Sequence, residues 1–242
     1  MEIFVGTSGW SNPIWNPSGL SWYQKNSRLN AVELNMSFYQ LPTEEQVKIW
    51  SHEGKALNWS IKVNRSITHF FRFNGIAREH FKAFLKLFSP LDPLVSHYLF
   101  QLPPNAHPSM RESIEEFYHF TELGPRFALE WRNPKWFVPE HIQWAQKLGM
   151  TVVSADSPSV PRDILNTNGT VYLRLHGRSD WFEHHYSRKE LGNIVEHVKN
   201  TGCKRVYAFL NNDSSQLKNA RALFNIFKGQ PTLIAESGIH GE

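Results

Sequence analysis

The sequence carries one cysteine, Cys203, in 242 residues. No disulfide can form within the chain, so the fold owes nothing to an oxidising compartment. In "TGCKRVYAF" that cysteine stands at an expected strand start and reads as a small buried apolar residue. No apolar run approaches the roughly 18 residues that cross a bilayer. The opening "MEIFVGTS" has neither the basic nor the long apolar region of a secretory leader. A cytoplasmic location without a membrane partner is therefore expected. The phosphate-loop pattern and the dinucleotide fingerprint are both missing, so neither ATP nor NAD is expected. In "GTSGW", Gly6 and Gly9 are spaced for a tight turn, with backbone amides approaching an anion as the weaker alternative. Charge of one sign is missing too. The 26 Lys and Arg face 22 Asp and Glu, and the net charge is +4. A mild, scattered basic excess permits a small anionic ligand and does not demand nucleic acid. Low-complexity stretches and linkers are also lacking, so residues 1–242 read as a single domain.

Aromatic residues are plentiful, with nine Trp and 17 Phe, and core packing is the simplest use for them. Eight short apolar runs recur: "IFVGTSG", "AVELNMS", "WSIKVNR", "HYLFQLPP", "RFALEWR", "TVVSADS", "TVYLRLHG" and "RVYAFLNN". They begin near Ile3, Ala31, Trp59, His97, Arg126, Thr151, Thr170 and Arg205, mostly with room for a helix in between. "TEEQVKIWSHEG" opens on Thr43 with Gln46 three residues on, a capping box, and closes at Gly54. "AREHFKAFLKLFSP" sets Phe81, Phe84, Leu85 and Phe88 on one helical face. "SMRESIEEFYHFTELG", "PEHIQWAQKLGM", "SRKELGNIVEHVKNTG" and "SSQLKNARALFNIFKG" read as further helices. The Pro- and Gly-rich segment after strand one, and "PSVPRDILNTNG" between strands six and seven, read as abbreviated crossovers. The pattern predicts an α/β protein, a single (β/α)8 TIM-type barrel over 1–242, in preference to a doubly wound open sheet.

Strand parity locates a site. In "RFALEWR", Phe127, Leu129 and Trp131 share one face, and Ala128, Glu130 and Arg132 the other. The apolar set suits the layer beneath the helices, so Glu130 and Arg132 point into the barrel near its C-terminal mouth, where such folds build active sites. The same reading aims Glu33 and Asn35, Lys62 and Asn64, Gln101, Ser154 and Asp156, Tyr172, Arg174 and His176, and Asn211 at one central space. Buried polar groups need partners, and a plain ion-pair network of Glu33, Glu130 and Asp156 with Lys62, Arg132 and Arg174 is the bland account. Such a network stabilises little, which favours a ligand.

In order along the chain, "GTSGW", "VELNMSFY", "SIKVNRSITH", "FQLPP", "LEWRNPKW", "ADS", "YLRLHG" and "FLNN" resemble the motifs of the DUF72 family, also called YecE-like proteins. The resemblance covers nearly the whole chain and implies a TIM barrel without an assigned chemistry. It also implies Ser or Thr within the second motif and His in the fifth. Met36 and Asn133 depart from that pattern, leaving Glu33, Tyr39, Glu130 and Arg132 as the stronger candidates there.

The residue types suit several chemistries. Foremost is general acid–base catalysis on a small anionic, hydroxyl-rich substrate, with hydrolysis, isomerisation and lyase chemistry all open. Glu130, His176, Asp156 and Glu33 would be its catalytic groups. Lys62 with Arg174, and Arg132, would clamp a phosphate or carboxylate. Gln101, Asn211 and Tyr39 would complete the binding set. A second expectation is metal-dependent phosphodiester chemistry on nucleic acid. Glu33, Glu130, Asp156 and His176 would then hold a divalent ion, and the loop aromatics Trp15, Trp22, Phe70, Phe71, Trp136 and Trp181 would face the polymer. A third uses Lys62 as a Schiff-base amine, against a plain salt bridge from Lys62 to Glu33 or Glu130. A non-catalytic ligand-binding protein would use the same mouth. The loop "RSDWFEHHYS" reads as a lid.

Overall fold

The computed structural model describes residues 1–16, 18–212 and 215–230. Eight parallel strands close a barrel in chain order. They are β1 (Glu2–Ser8), β2 (Ala31–Leu34), β3 (Asn58–Lys62), β4 (Val95–Gln101), β5 (Phe127–Glu130), β6 (Thr151–Asp156), β7 (Thr170–Leu175) and β8 (Arg205–Leu210). The helices between them are α1 (Gly19–Asn26), α2 (Glu44–Glu53), α3 (Gly75–Phe88), α4 (Arg111–Thr121), α5 (Pro139–Leu148) and α6 (Arg188–Asn200), and α7 (Gln216–Phe227) follows β8. The open-sheet alternative is excluded by the pairing of β1 with β8.

Local chemistry accounts for these elements. Thr43 caps α2 with the reciprocal Gln46 bonds of a capping box, and Ser187 caps α6 in the same way with Glu190. On α3, Phe81, Phe84 and Phe88 are buried against the barrel. Both abbreviated crossovers are present. An irregular segment precedes the eight-residue α1, and no helix joins β6 to β7. That last segment instead lies along β6, where the Leu165 and Val152 amides bond to Ser154 Oγ and Thr167 Oγ1.

Two apolar populations follow from strand parity. The larger fills the layer between strands and helices and includes Val32, Ile61, Leu129, Trp131, Leu173 and Cys203. The smaller, Ala31, Leu99, Ala128, Val153, Tyr172, Tyr207 and Phe209, plugs the lumen, with Phe4 against it. A plugged lumen leaves the C-terminal end as the place where this fold builds its sites. β1 and β2 approach so closely that a Cβ on Gly6 would sit 2.3 Å from the Ala31 carbonyl oxygen. The tight turn expected over "GTSGW" is not formed: Gly6, Thr7 and Ser8 belong to β1 and pair with β2, and only Gly9 turns the chain, at φ +86°, with its amide donated to the Glu33 carbonyl at 2.7 Å.

Candidate functional site

A cavity of about 620 Å³ opens at the C-terminal mouth. Strand ends supply its polar lining: Ser8, Asn35, Lys62, Gln101, Arg132, Arg174, His176 and Asn211. The loops add Phe38, Tyr39, His69, Trp181 and Phe182. Seven strands thus contribute directly or through the residues that follow them.

The floor is a buried network centred on Arg174. Its Nε and Nη2 grip Glu33 at 3.0 and 2.8 Å, and its Nη1 bonds Glu130. Tyr172 donates to Glu33 Oε2 at 2.7 Å, and Ser8 to Oε1 at 2.7 Å. Arg132 Nε forms an ion pair with Glu130 Oε1. Burial by itself would raise the Glu33 carboxyl, but Arg174 outweighs it and holds the group below the usual range. Arg132 and Arg174 likewise overcome burial at Glu130 and hold it well below. Both carboxylates are therefore held in the anionic form by their arginines, and neither lines the cavity. Burial and Glu33 push the Tyr172 hydroxyl well up, so it is a fixed donor.

Above this floor lie groups with unused capacity. His176 is almost fully buried, and burial together with Arg174 lowers it to about 3, so the ring is neutral. The Asn211 amide meets its Nδ1 at 3.1 Å. Arg132 Nη2, which can only donate, lies 3.2 Å from Nε2, so Nε2 is the acceptor and the ring proton sits on Nδ1 beside Asn211. Arg132 stacks on Trp181, 4.5 Å from the ring centroid, and reaches Gln101 and His176 through Nη2. Its Nη1 makes no hydrogen bond among the described residues. Lys62 Nζ lies 3.9 Å from the Phe38 ring centroid. Among the described residues it pairs with no carboxylate, so the expected salt bridge to Glu33 or Glu130 is not formed. Both acids are taken by arginines. Burial and Arg174 lower Lys62 to about 7. His69, bonded to Thr68 Oγ1 at 2.8 Å, is lowered to about 4 by burial and Lys62.

Several expectations are corrected. Asp156 does not reach the cavity. β6 carries Val153 and Ala155 inward, which turns Ser154 and Asp156 to the outer face. There Asp156 accepts from Arg178 at 2.8 Å and from the Tyr186 hydroxyl at 3.1 Å. The set Glu33, Glu130, Asp156 and His176 is therefore not a ligand cluster. No group of three or more His, Cys, Asp or Glu residues suits a metal among the described residues. The bland ion-pair account holds for Glu33, Glu130, Arg132 and Arg174 and fails for Lys62. Arg174 is engaged at all three nitrogens, so it organises the floor rather than clamping an anion. Trp136 is wholly buried, stacked on Trp131. Trp15, Trp22 and Phe71 pack on the core and Phe70 is exposed outside the cavity lining, so of the six aromatics expected to face a polymer Trp181 alone lines the cavity. Met36 is exposed and Asn133 caps a turn after β5, in keeping with a minor place for both.

The loop after β7 folds over the mouth and presents Trp181 and Phe182 to the cavity. Gly177 turns it at φ +116°, where a Cβ would meet the Asp180 carbonyl oxygen at 2.5 Å. Phe182 holds a left-handed φ of 71°, a strain tolerated where surroundings over-determine the backbone.

The family model described as "Protein of unknown function DUF72" matches residues 4–237. UPF0759 protein YecE of Escherichia coli (strain K12) is 28% identical over 144 residues, 56% of this chain and 50% of that protein. The same figures hold for YecE of E. coli O157:H7. The chain thus spans about half the length of these curated relatives. A DUF72 family protein from Enterococcus faecalis V583 superposes with a TM-score of 0.82 at 22% identity, over 93% of this chain and 95% of that one. One from Thermotoga maritima MSB8 gives 0.80 at 24% identity, over 95% and 98%. These likenesses carry the barrel fold. No helix among the described residues is long and apolar enough to cross a membrane.

Proposed function

This chain belongs to the DUF72 family, and from that premise we propose that it is an enzyme doing general acid–base chemistry on a small anionic, hydroxyl-rich molecule bound in the barrel mouth. One observation carries the reading. Two cationic residues line a cavity of about 620 Å³ with donor capacity unused among the described residues: Lys62, which has no carboxylate partner there, and Arg132, whose Nε pairs with Glu130 while its Nη1 makes no hydrogen bond. A phosphate or carboxylate supplies the acceptors they lack, and Arg132, already oriented by Trp181 and Gln101, offers the more fixed contact. Gln101, Asn35, Asn211 and Tyr39 line the same space with groups suited to hydroxyls. His176, neutral and oriented by Asn211, is the proton acceptor of this reading. Glu130 holds Arg132 and Arg174 in place instead of exchanging protons itself.

A thermal-shift series with sugar phosphates and organic acids tests this. A ligand at a hundred times its Kd stabilises by about 2.7 kcal/mol. The shift is expected to vanish in Arg132→Gln and to survive in Glu116→Gln, whose carboxylate is exposed on α4, outside the cavity lining. Absence of any shift across the panel would overturn the reading. The saturation of both carboxylates favours a second reading, binding without turnover, and loss of substrate over time in the presence of a bound ligand separates the two.

A further inference from the structure

Lys62 closes β3 with its side chain turned into the mouth, and the residue is only 7% exposed. A buried ammonium is costly unless a counter-ion accompanies it. Two buried carboxylates stand in the same network, yet Arg174 and Arg132 occupy them. The amine is left against the Phe38 ring, facing the cavity. Such an arrangement serves no evident packing purpose, because a methionine would fill the space without the desolvation cost.

We propose that Lys62 is a covalent nucleophile whose amine condenses with the aldehyde or ketone group of a small anionic carbonyl compound, the anion being held by Arg132. This deepens the anion-binding reading of the same cavity and rests on it for the substrate's charge. The Lys62 nitrogen bonds to the carbonyl carbon as the C=O π pair moves to oxygen. One N–H proton passes to that oxygen, which gives a carbinolamine. The hydroxyl takes one proton from hydronium or buffer acid in the solvent and leaves as water while the nitrogen lone pair forms C=N. Amine, carbonyl and one proton thus become a protonated imine and one water. The imine draws electrons from the adjacent carbon. His69 and His176 line the same cavity as neutral imidazoles able to accept a proton released there. The lowered basicity of Lys62 supports the first step. An amine near 7 is about half free base at neutral pH, whereas a surface lysine is so in only about one molecule in a few thousand.

The test is reductive trapping at neutral pH. The full chain is incubated with glyoxylate, an anionic aldehyde, or glycolaldehyde, a neutral one, in the presence of cyanoborohydride. Adducts are then mapped by peptide mass spectrometry. The expected result is a dominant adduct on Lys62, formed at least tenfold faster than on any other lysine and slowed by inorganic phosphate with glyoxylate. It is lost in both Lys62→Met and Lys62→Arg, and thermal melts establish that these variants fold. Labelling spread over surface lysines, or Lys62 no faster than the rest, overturns the proposal. The arms also separate the two readings. Lys62 labelled equally by both aldehydes, with no effect of phosphate, keeps the nucleophile and removes the anion. An unlabelled Lys62 beside an Arg132-dependent thermal shift does the reverse.

Discussion

Arg174 holds Glu33 through Nε at 3.0 Å and Nη2 at 2.8 Å, with both side chains sealed from solvent. The guanidinium also reaches Glu130, so two acids from β2 and β5 are tied to one base from β7. This clamp fixes the cavity floor and leaves the lysine above it without a carboxylate partner among the described residues.

Removing either kind of cation therefore has opposite consequences. Arg174→Met strands two buried carboxylates and is expected to cost about 3–5 kcal/mol. Lys62→Met removes a buried ammonium that has no carboxylate partner among the described residues and is expected to stabilise, most clearly near pH 6, by up to roughly a few kcal/mol. Urea unfolding of the two variants measures both signs. A loss for Lys62→Met comparable to that of Arg174→Met would place Lys62 inside the network.

The acid limb of stability reports on His176. Its folded ring resists protonation down to about 3, while the unfolded chain takes a proton below about 6.5. Between these values the unfolded state binds more protons, so stability falls as pH falls. His69 and His97, lowered to about 4 and about 3 chiefly by burial, act in the same direction. Glu33 and Glu130 add their loss only below about 4.5, where the unfolded chain begins to protonate them. Between pH 6 and 5, His176→Gln is expected to remove about 1.4 kcal/mol per pH unit from the slope. An unchanged slope would mean that the ring is charged in the fold.

Asp156 anchors the loop that covers the mouth, through Arg178 and Tyr186. Asp156→Asn weakens charge-assisted bonds of about 1.5–3 kcal/mol. Amide exchange in residues 177–187 should accelerate about tenfold or more, with the barrel strands unaffected. Gly177→Ala, which places a Cβ against the Asp180 carbonyl, should produce the same local loosening. Equal acceleration across the strands would show that the pair supports the barrel itself.

Most of the fold was legible because each strand carries a period of two over a helix-facing apolar layer. "RFALEWR" reads correctly, with Ala128 and Glu130 in the lumen and Leu129 and Trp131 beneath the helices. In "TVVSAD" the same test fails. Val152 and Val153 are both apolar, so alternation does not set the phase. The helix-less crossover gives the outer face of β6 polar backbone to bond, which draws Ser154 outward. Ser8 shares the inward parity of Phe4 on β1, but it stands between Gly6 and Gly9, whose turn signal masks the strand. His69 sits on the turn Ser66–Phe70 beyond β3, where strand parity has no reach. The arginine–carboxylate pairing that frees Lys62 depends on side-chain reach across the barrel, which spacing does not encode.

The most direct measurement is competitive labelling of Lys62 with trace acetic anhydride across pH 5–11, read by peptide mass spectrometry, with and without inorganic phosphate. Burial and Arg174 bring the amine to about 7 against the opposing pull of Glu130 and Glu33, with Arg132 adding to the lowering. The account predicts a labelling rate that rises through about pH 7 and levels off, while surface lysines rise through about 10, together with slower labelling of Lys62 when phosphate is bound. A Lys62 that titrates with the surface lysines and is indifferent to phosphate would contradict it.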